Sequence, residues 1–444
     1  MKKIIALFIA LAMLVGMTSA LADLKVGTFD VAGAGNIELG FGWWGNQVRD
    51  AATADALNYF TENYPNITFN TNAQNWSNYW ALMLTSAADN SLPDLMQQDY
   101  AYIEQWVAAG DLLDLTPYVE SGALDLSNVP QSIIDTGKVG DGIYAVCAGM
   151  NAPALLYNKT LTDELGIEVP VNLTWDKFVE ITKEIMEKKG GYRVIYGQGN
   201  SENAITFYAR SLGKTALFEA EGSTLSAEEA AGYYQMILDG VAEGWMFNTD
   251  EIANVNVDDI AQSPTVFGAT PDVRTWCSIA WSNQIAAFQA AASADGIELG
   301  IASWPSADPV ASNYLKPSQF FSVTTDSKNP DAAVAVLNYL INDPQANIRL
   351  RAERGVPASG VVAAEIAEEV NKIEPTYGLV VSYLAHVAEN SSPIFPPLPS
   401  YVGEVNADVL KRLSDEALLK TPSYTAAELG ADFVESTNDI ASNY

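Results

Sequence analysis

Apolar and polar positions along this chain alternate between two periods, and each change of period marks a change of element. Residues 37–44 form a strand-length apolar run that ends at Gly45-Asn46. Residues 49–64 then place Ala52, Ala56, Leu57, Phe60 and Tyr64 at helical spacing on one face, and Pro65-Asn66 stops the helix. A strand over 67–71, a helix over 76–88 and a third strand over 92–97 follow. Strands and helices in steady alternation predict an α/β fold, with parallel sheets flanked by helices.

The stretch 142–159 organises the middle of the chain. Its two apolar runs, 143–147 and 154–157, are each of strand length, and Gly149-Met150-Asn151-Ala152-Pro153 between them forbids one continuous element. Taken alone, the stretch fits a strand–turn–strand within one sheet. A domain's worth of pattern lies on either side, however, so it reads as a crossover between two lobes with the Asn151 amide at the seam. Beyond it, Thr174 caps a helix with Phe178, Ile181 and Ile185 inward, ended by Gly190-Gly191. Strands are expected over 192–197, 274–281, 297–304 and 319–324, and a helix over 226–240. Asn329-Pro330-Asp331 opens a helix with Val334, Leu337, Leu340 and Ile341 inward, closed by Pro344. The tail from 363 is helical, apart from a Pro-rich break at 392–399.

Residues 1–22 stand apart. Lys2-Lys3, an apolar run over 4–17 and Ala20-Leu21-Ala22 make a secretory signal peptide, with cleavage expected before Asp23. Met17 stands where a lipoprotein would carry its acylated cysteine, so no lipid anchor is expected there. No other apolar run approaches membrane length, and the mature chain is expected outside the cytoplasm without inserting into a membrane. At 444 residues the chain exceeds one comfortable core and points to two domains. A net charge of −32 counts against nucleic acid and anionic lipid as partners. A hydrophobic content of 48%, with 10 Trp and 20 Tyr, is enough to build a core and argues against disorder. Cys147 and Cys277 are too few for a stapled scaffold, and whether they pair is left open.

In open α/β sheets ligands bind outside the carboxyl ends of the strands, so the residues that follow strands are the candidates. These are Trp43, Trp44 and Asn46, then Asn75 and Trp76, then Gln98 and Asp99. In the second half they are Gln198 and Asn200, then Trp281 and Asn283. Amides both donate and accept, as hydroxyls do, and an indole face covers the C–H side of a sugar ring. The pattern suits a neutral, polyhydroxylated ligand. Turn formation accounts for Asn46 and Gly199, but not for Gln98, Gln198, Gln284 or the Trp doublet. Sharper motifs fail. Gly40-Phe41-Gly42-Trp43-Trp44-Gly45 matches a dinucleotide fingerprint, yet bulky indoles stand where phosphate must approach. With His386 the only histidine, zinc signatures cannot be built, and no cofactor or metal is expected.

Gly42-Trp43-Trp44-Gly45, Tyr64-Pro65-Asn66-Ile67 and Leu92-Pro93-Asp94-Leu95 carry a wider resemblance. So do Gly110-Asp111-Leu112-Leu113-Asp114-Leu115, Leu156-Tyr157-Asn158-Lys159 and Trp281-Ser282-Asn283-Gln284. Lys316-Pro317-Ser318, Ser327-Lys328-Asn329-Pro330 and Glu353-Arg354-Gly355-Val356-Pro357 complete it. In this order the chain resembles extracellular solute-binding proteins of the maltose-binding type, the receptors of carbohydrate ABC importers. The resemblance implies the two-lobe periplasmic-binding-protein fold, each lobe a sheet flanked by helices, joined by crossover strands. It assigns 23–149 and 282–322 to the first lobe, and 150–281 and 323–444 to the second. It places Asn151 at a hinge as a ligand contact and Tyr401 near an aromatic platform. A monomeric, non-enzymatic receptor is implied, held in the periplasm or at the extracellular face of the cell membrane. It would capture a sugar or oligosaccharide by hinge closure and deliver it to a permease on a separate chain. The competing readings are the same fold binding a peptide, polyamine or organic anion, with Arg49, Arg210 and Arg274 available to an anion, and a secreted glycosidase.

Overall fold

The computed structural model describes residues 25–26, 29–45, 47–197, 201–255, 272–373 and 375–444. The expected export segment 1–22 lies outside the described residues. In chain order the strands that frame the fold are β1 (Ile37–Trp44), β2 (Ile67–Gln74), β3 (Leu95–Gln98), β4 (Val146–Cys147), β5 (Gly149–Asn151) and β6 (Pro153–Asn158). They continue with β7 (Tyr192–Arg193), β8 (Arg274–Thr275), β9 (Cys277–Trp281), β10 (Leu299–Ala302), β11 (Lys316–Pro317) and β12 (Phe320–Val323). The chain forms two compact units. One takes the described residues of Met1–Val129, Gly137–Ala148 and Gln319–Ile366; the other takes Pro130–Thr136, Gly149–Ser318 and Ala367–Tyr444.

This division differs from the expected one. Residues 282–318 stay in the second unit because β9 turns through a helix, Ile285–Ala292, into β10, and β10 pairs back onto β6. Residues 323–366 join the first unit because β12 enters its sheet and the helix Pro330–Asn342 packs beside it. The passage 142–159 is also more broken than its two runs suggest, holding Gly142–Ile143, β4, β5 and β6 in succession. Pro153 opens β6, a position where a residue without an N–H is tolerated in a sheet.

In the first unit the sheet order is β2-β1-β3-β12-β4. β1 lies parallel to β2 and β3, and β12 antiparallel to β3 and β4. From Leu39 on, β1 is buried on nearly both faces, as an internal parallel strand should be, whereas the edge strand β2 exposes Asn70, Thr71 and Asn72. The helix Gln47–Asn63 buries the expected Ala52, Ala56, Leu57 and Phe60. The helix Pro330–Asn342 is sunk still deeper, with Ala332 to Leu337 all buried. Pro344 does not simply end it. Asp343 closes one helix and caps the next, accepting from the Gln345 and Ala346 amides at 2.7 and 3.0 Å.

In the second unit β6 is the middle of an antiparallel sheet, β9-β6-β10, while β7 and β8 pair in parallel. The helix Trp175–Lys189 buries the expected stripe of Phe178, Ile181 and Ile185, and Thr174 caps it as expected. Helices Ala227–Ala242 and Ala426–Ala441 pack together, each opened by a capping box. Gly430 permits their approach: a Cβ there would lie 2.4 Å from the Ala227 carbonyl oxygen. Cys147 and Cys277 are both buried, and neither is in a disulfide.

Arg210 fixes the Pro-rich break. Its guanidinium is buried, donating to the Ser312 carbonyl at 2.6 Å, to Ser392 Oγ at 2.6 Å and to the Pro393 carbonyl at 2.9 Å. The rings of Tyr314 and Phe395 lie 4.4 and 4.6 Å from it. Burial lowers its pKa to about 10. Arg210→Lys keeps the charge but loses the planar fork, so it should cost about 3 kcal/mol in urea unfolding and open 392–399 to proteolysis. Burial also pushes the phenols of Tyr196, Tyr233, Tyr234, Tyr339, Tyr377 and Tyr383 above the ordinary 10.0. A raised folded pKa gives stability that is complete below the unfolded pKa and lost as pH climbs toward the folded one. Urea unfolding should therefore show stability falling above about pH 10, by about 1 kcal/mol per buried phenol near pH 11. The tyrosinate absorbance of these six buried phenols should rise together with unfolding, not before it.

Candidate functional site

The parallel register brings the carboxyl ends of β1, β2 and β3 to one end of the first unit. Trp44 pairs with Gln74, and Gly42 with Met96, so Trp44 and Gln98 finish side by side. Successive residues of β1 face opposite ways, and this divides the Trp doublet. Trp43 is 2% exposed, packs edge-on against Phe41 at 5.2 Å and donates from Nε1 to Asp50 at 2.9 Å. Its indole is part of the core, which corrects its expected place in a ligand site. Trp44 points the other way, against Tyr79 and Trp80 at 5.2 and 5.4 Å, and is nearly buried.

Beneath this end lies a network that the sequence did not single out. The Trp44 carbonyl accepts from Arg49 at 3.1 Å and from Gln97 Nε2 at 3.2 Å. Gln97 Oε1 accepts from Arg354 Nε at 2.8 Å, and the Gln97 carbonyl accepts from the Tyr79 hydroxyl at 2.6 Å. Arg354 also donates to Thr53 Oγ1 at 3.0 Å. Burial lowers the Arg354 pKa to about 9, and the neighbouring Arg49 charge adds to the fall. Gln98, fully buried beside it, is far less satisfied. Among the described residues its amide nitrogen reaches only Met96 Sδ, at 3.5 Å, and its Oε1 has no partner. Asp99 is half-buried and accepts from the Ala101 amide at 3.0 Å, which makes it a turn former. Asn75 is exposed and caps the helix Trp76–Ala88 through the Asn78 amide at 2.9 Å. Trp76 opens that helix. Asn46 lies outside the described residues.

In the second unit, β9 ends at Trp281 opposite Pro153, so Asn151 approaches the same edge. Asn151 pairs with Lys316 across β5 and β11; it is 8% exposed, and its Oδ1 has no partner. Trp281 is half-buried, 5.7 Å from Trp304 and 6.4 Å from Tyr314, with the Lys316 ammonium 5.2 Å from its ring. Trp304, Tyr314 and Phe207 thus complete an aromatic group that sequence spacing could not assemble. Asn283 is exposed, while Gln284 accepts from the Trp281 amide at 2.9 Å and shapes the turn. Gln198 and Asn200 lie outside the described residues. Tyr401 is not an exposed platform. It is 2% exposed, and its hydroxyl donates to the Glu219 carbonyl at 2.6 Å.

Of the three arginines an anion could use, Arg49 and Arg210 hold backbone carbonyls and Arg274 is exposed. Among the described residues no group of three or more His, Cys, Asp or Glu could hold a metal ion. Among them, too, no helix is long and apolar enough to cross a membrane.

Similarity to known proteins follows the same lines. A multiple sugar-binding protein of Streptococcus mutans is 34% identical over 86 residues, so the match spans 19% of this chain and 19% of that relative. A family 1 extracellular solute-binding protein from Alicyclobacillus acidocaldarius superimposes with a TM-score of 0.81 at 22% identity, covering 92% of this chain and 99% of its own. An oligogalacturonide binding protein from Yersinia enterocolitica gives 0.71 at 19% identity over 92% and 99%. The GacH receptor of Streptomyces glaucescens, solved with acarbose, gives 0.61 at 19% identity over 91% and 99%. At these identities the structures establish a shared fold. The family model for bacterial extracellular solute-binding proteins matches residues 44–347, more than half of the chain, and the protein belongs to that family.

Proposed function

We propose that the protein is an exported receptor that captures a neutral sugar or oligosaccharide by hinge closure and delivers it to an ABC importer permease. The observation that carries this reading is a pair of buried amide oxygens, Gln98 Oε1 and Asn151 Oδ1, that have no donor among the described residues. Each lies at a strand end, one in each unit, beside an indole: Trp44 in the first and Trp281 in the second. A buried acceptor left without a donor is costly, and a ligand hydroxyl supplies what is missing. A carboxylate ligand would bring further acceptors instead, which an amide oxygen cannot pair with. The sugar-binding relatives support a carbohydrate ligand. Residues 1–22 would direct export, and the permease and its ATPase would be separate chains. The receptor binds its ligand without turning it over.

Intrinsic tryptophan fluorescence of residues 23–444, titrated with neutral oligosaccharides, should change saturably with one sugar class and leave the sugar intact. Gln98→Leu and Asn151→Leu should each weaken that binding about tenfold while leaving thermal stability unchanged or higher, since each removes an unsatisfied acceptor. Silence toward neutral sugars with a response to organic acids would overturn the carbohydrate reading.

A further inference from the structure

A pocket of about 290 Å³ opens within the second unit, apart from the strand-end residues above. Its lining includes Trp175, Tyr196, Tyr208 and Met236. Two chain segments build its floor. Leu173 donates its amide to Ser303 Oγ at 2.9 Å, Thr174 bridges to Ser306, and Trp175 donates its amide to the Ser306 carbonyl at 2.8 Å. The Ser306 backbone is therefore fully engaged. Its hydroxyl is not: Ser306 is 3% exposed and lines the pocket, and among the described residues its Oγ has no partner. Asp176, exposed at the rim, is the one charged side chain in the lining among the described residues.

Trp175, Tyr208 and Met236, each partly exposed, offer apolar area to the C–H face of a ring. One buried hydroxyl, able to donate and accept, and one carboxylate offer polar contacts to ring hydroxyls. The volume sits at the small end of ligand pockets, about 300 Å³, which limits the occupant to one ring. A ring carboxylate would meet Asp176 with no cation in the lining to offset the repulsion. We propose that this pocket is a carbohydrate subsite lying wholly in the second unit, taking a single uncharged pyranose ring and rejecting uronic acid rings. The proposal rests on the carbohydrate reading above and adds to it a site and a charge preference.

The test is calorimetric titration of residues 23–444 with neutral α- and β-linked oligosaccharides and with oligogalacturonides of matched length. Ser306→Ala should weaken binding of the neutral ligand about tenfold without lowering the melting temperature, because it removes a hydroxyl that nothing in the protein satisfies. Trp175 packs against Phe178 and Tyr196 at 5.5 and 5.2 Å, so the milder Trp175→Phe is the second variant, again expected to weaken binding. Asp176→Asn should narrow the gap between neutral and uronic ligands. Wild-type binding to a neutral sugar, unchanged in both Ser306→Ala and Trp175→Phe, would overturn the subsite and leave the receptor reading standing. Wild-type affinity for oligogalacturonides equal to that for neutral sugars would overturn the charge preference. Failure of the wild type to bind any neutral sugar would overturn the carbohydrate reading itself.

Discussion

The first unit depends on how it holds the buried guanidinium of Arg354. Arginine keeps its charge even when burial lowers its pKa, so the fold must surround it with acceptors. Gln97 Oε1 and Thr53 Oγ1 take two of its donors, and the Phe321 ring lies 5.2 Å away. Once Gln97 Oε1 is committed, the other half of its amide must donate, and it does so to the Trp44 carbonyl. The ends of β1 and β3 are thereby tied through one side chain. The neighbouring Gln98 is turned to the other face of β3 by the strand's own alternation. The position of the candidate ligand group is thus a consequence of satisfying a charge on the opposite side of the sheet.

The second unit solves a comparable problem with Arg210. Here the acceptors are the Ser392 hydroxyl and backbone carbonyls from two separate segments, 312–313 and 392–393, with Tyr314 and Phe395 against the guanidinium. One buried cation therefore fixes an irregular, Pro-rich stretch that has no ladder of its own. In both units the acceptors around the cation are largely neutral, so the arrangement fixes position more than it adds net electrostatic stability. Tyr314 also faces Trp281, so the clamp bears on the aromatic group at the edge of β9.

The large elements were legible because they rest on periodicity. The helix after Thr174 buried its expected stripe, and β1, β2 and β3 formed where the apolar runs lay. Side-chain roles were less legible. Trp43 and Trp44 are adjacent and chemically identical and both are buried, yet alternation sends them to opposite faces of the sheet, Trp43 against Phe41 and Trp44 into the cluster of Tyr79 and Met96. Gln97 and Gln98 divide in the same way, and only the partner Arg354, distant in sequence, decides which is structural. Tyr401 has the composition of a platform residue, but its hydroxyl serves the turn at Glu219 and Gly222. Asn75 and Asp99 follow the local turn and cap preferences of their residue types. The pocket beside Trp175 joins segments near 175, 196, 208, 236 and 306, and no window of sequence contains that set.

Not every unsatisfied buried atom points to a ligand, and the distinction is physical. Tyr233, Tyr234, Ser414 and Thr437 also have hydroxyls without partners, but they belong to helices packed within the second unit's core. A hydroxyl hydrogen rotates toward whatever partner is near, so the direction of its deficit is not fixed. An amide oxygen cannot rotate away from its own nitrogen, so its deficit is directional. Gln98 and Asn151 therefore differ from those core hydroxyls in chemistry as well as in place. Ser306 is the intermediate case: a buried hydroxyl, but on a residue that lines a pocket large enough for a ring. Where an unsatisfied polar atom borders space, the missing partner has room to arrive from outside. Where it borders packed side chains, no ligand can reach it, and the fold simply bears the cost.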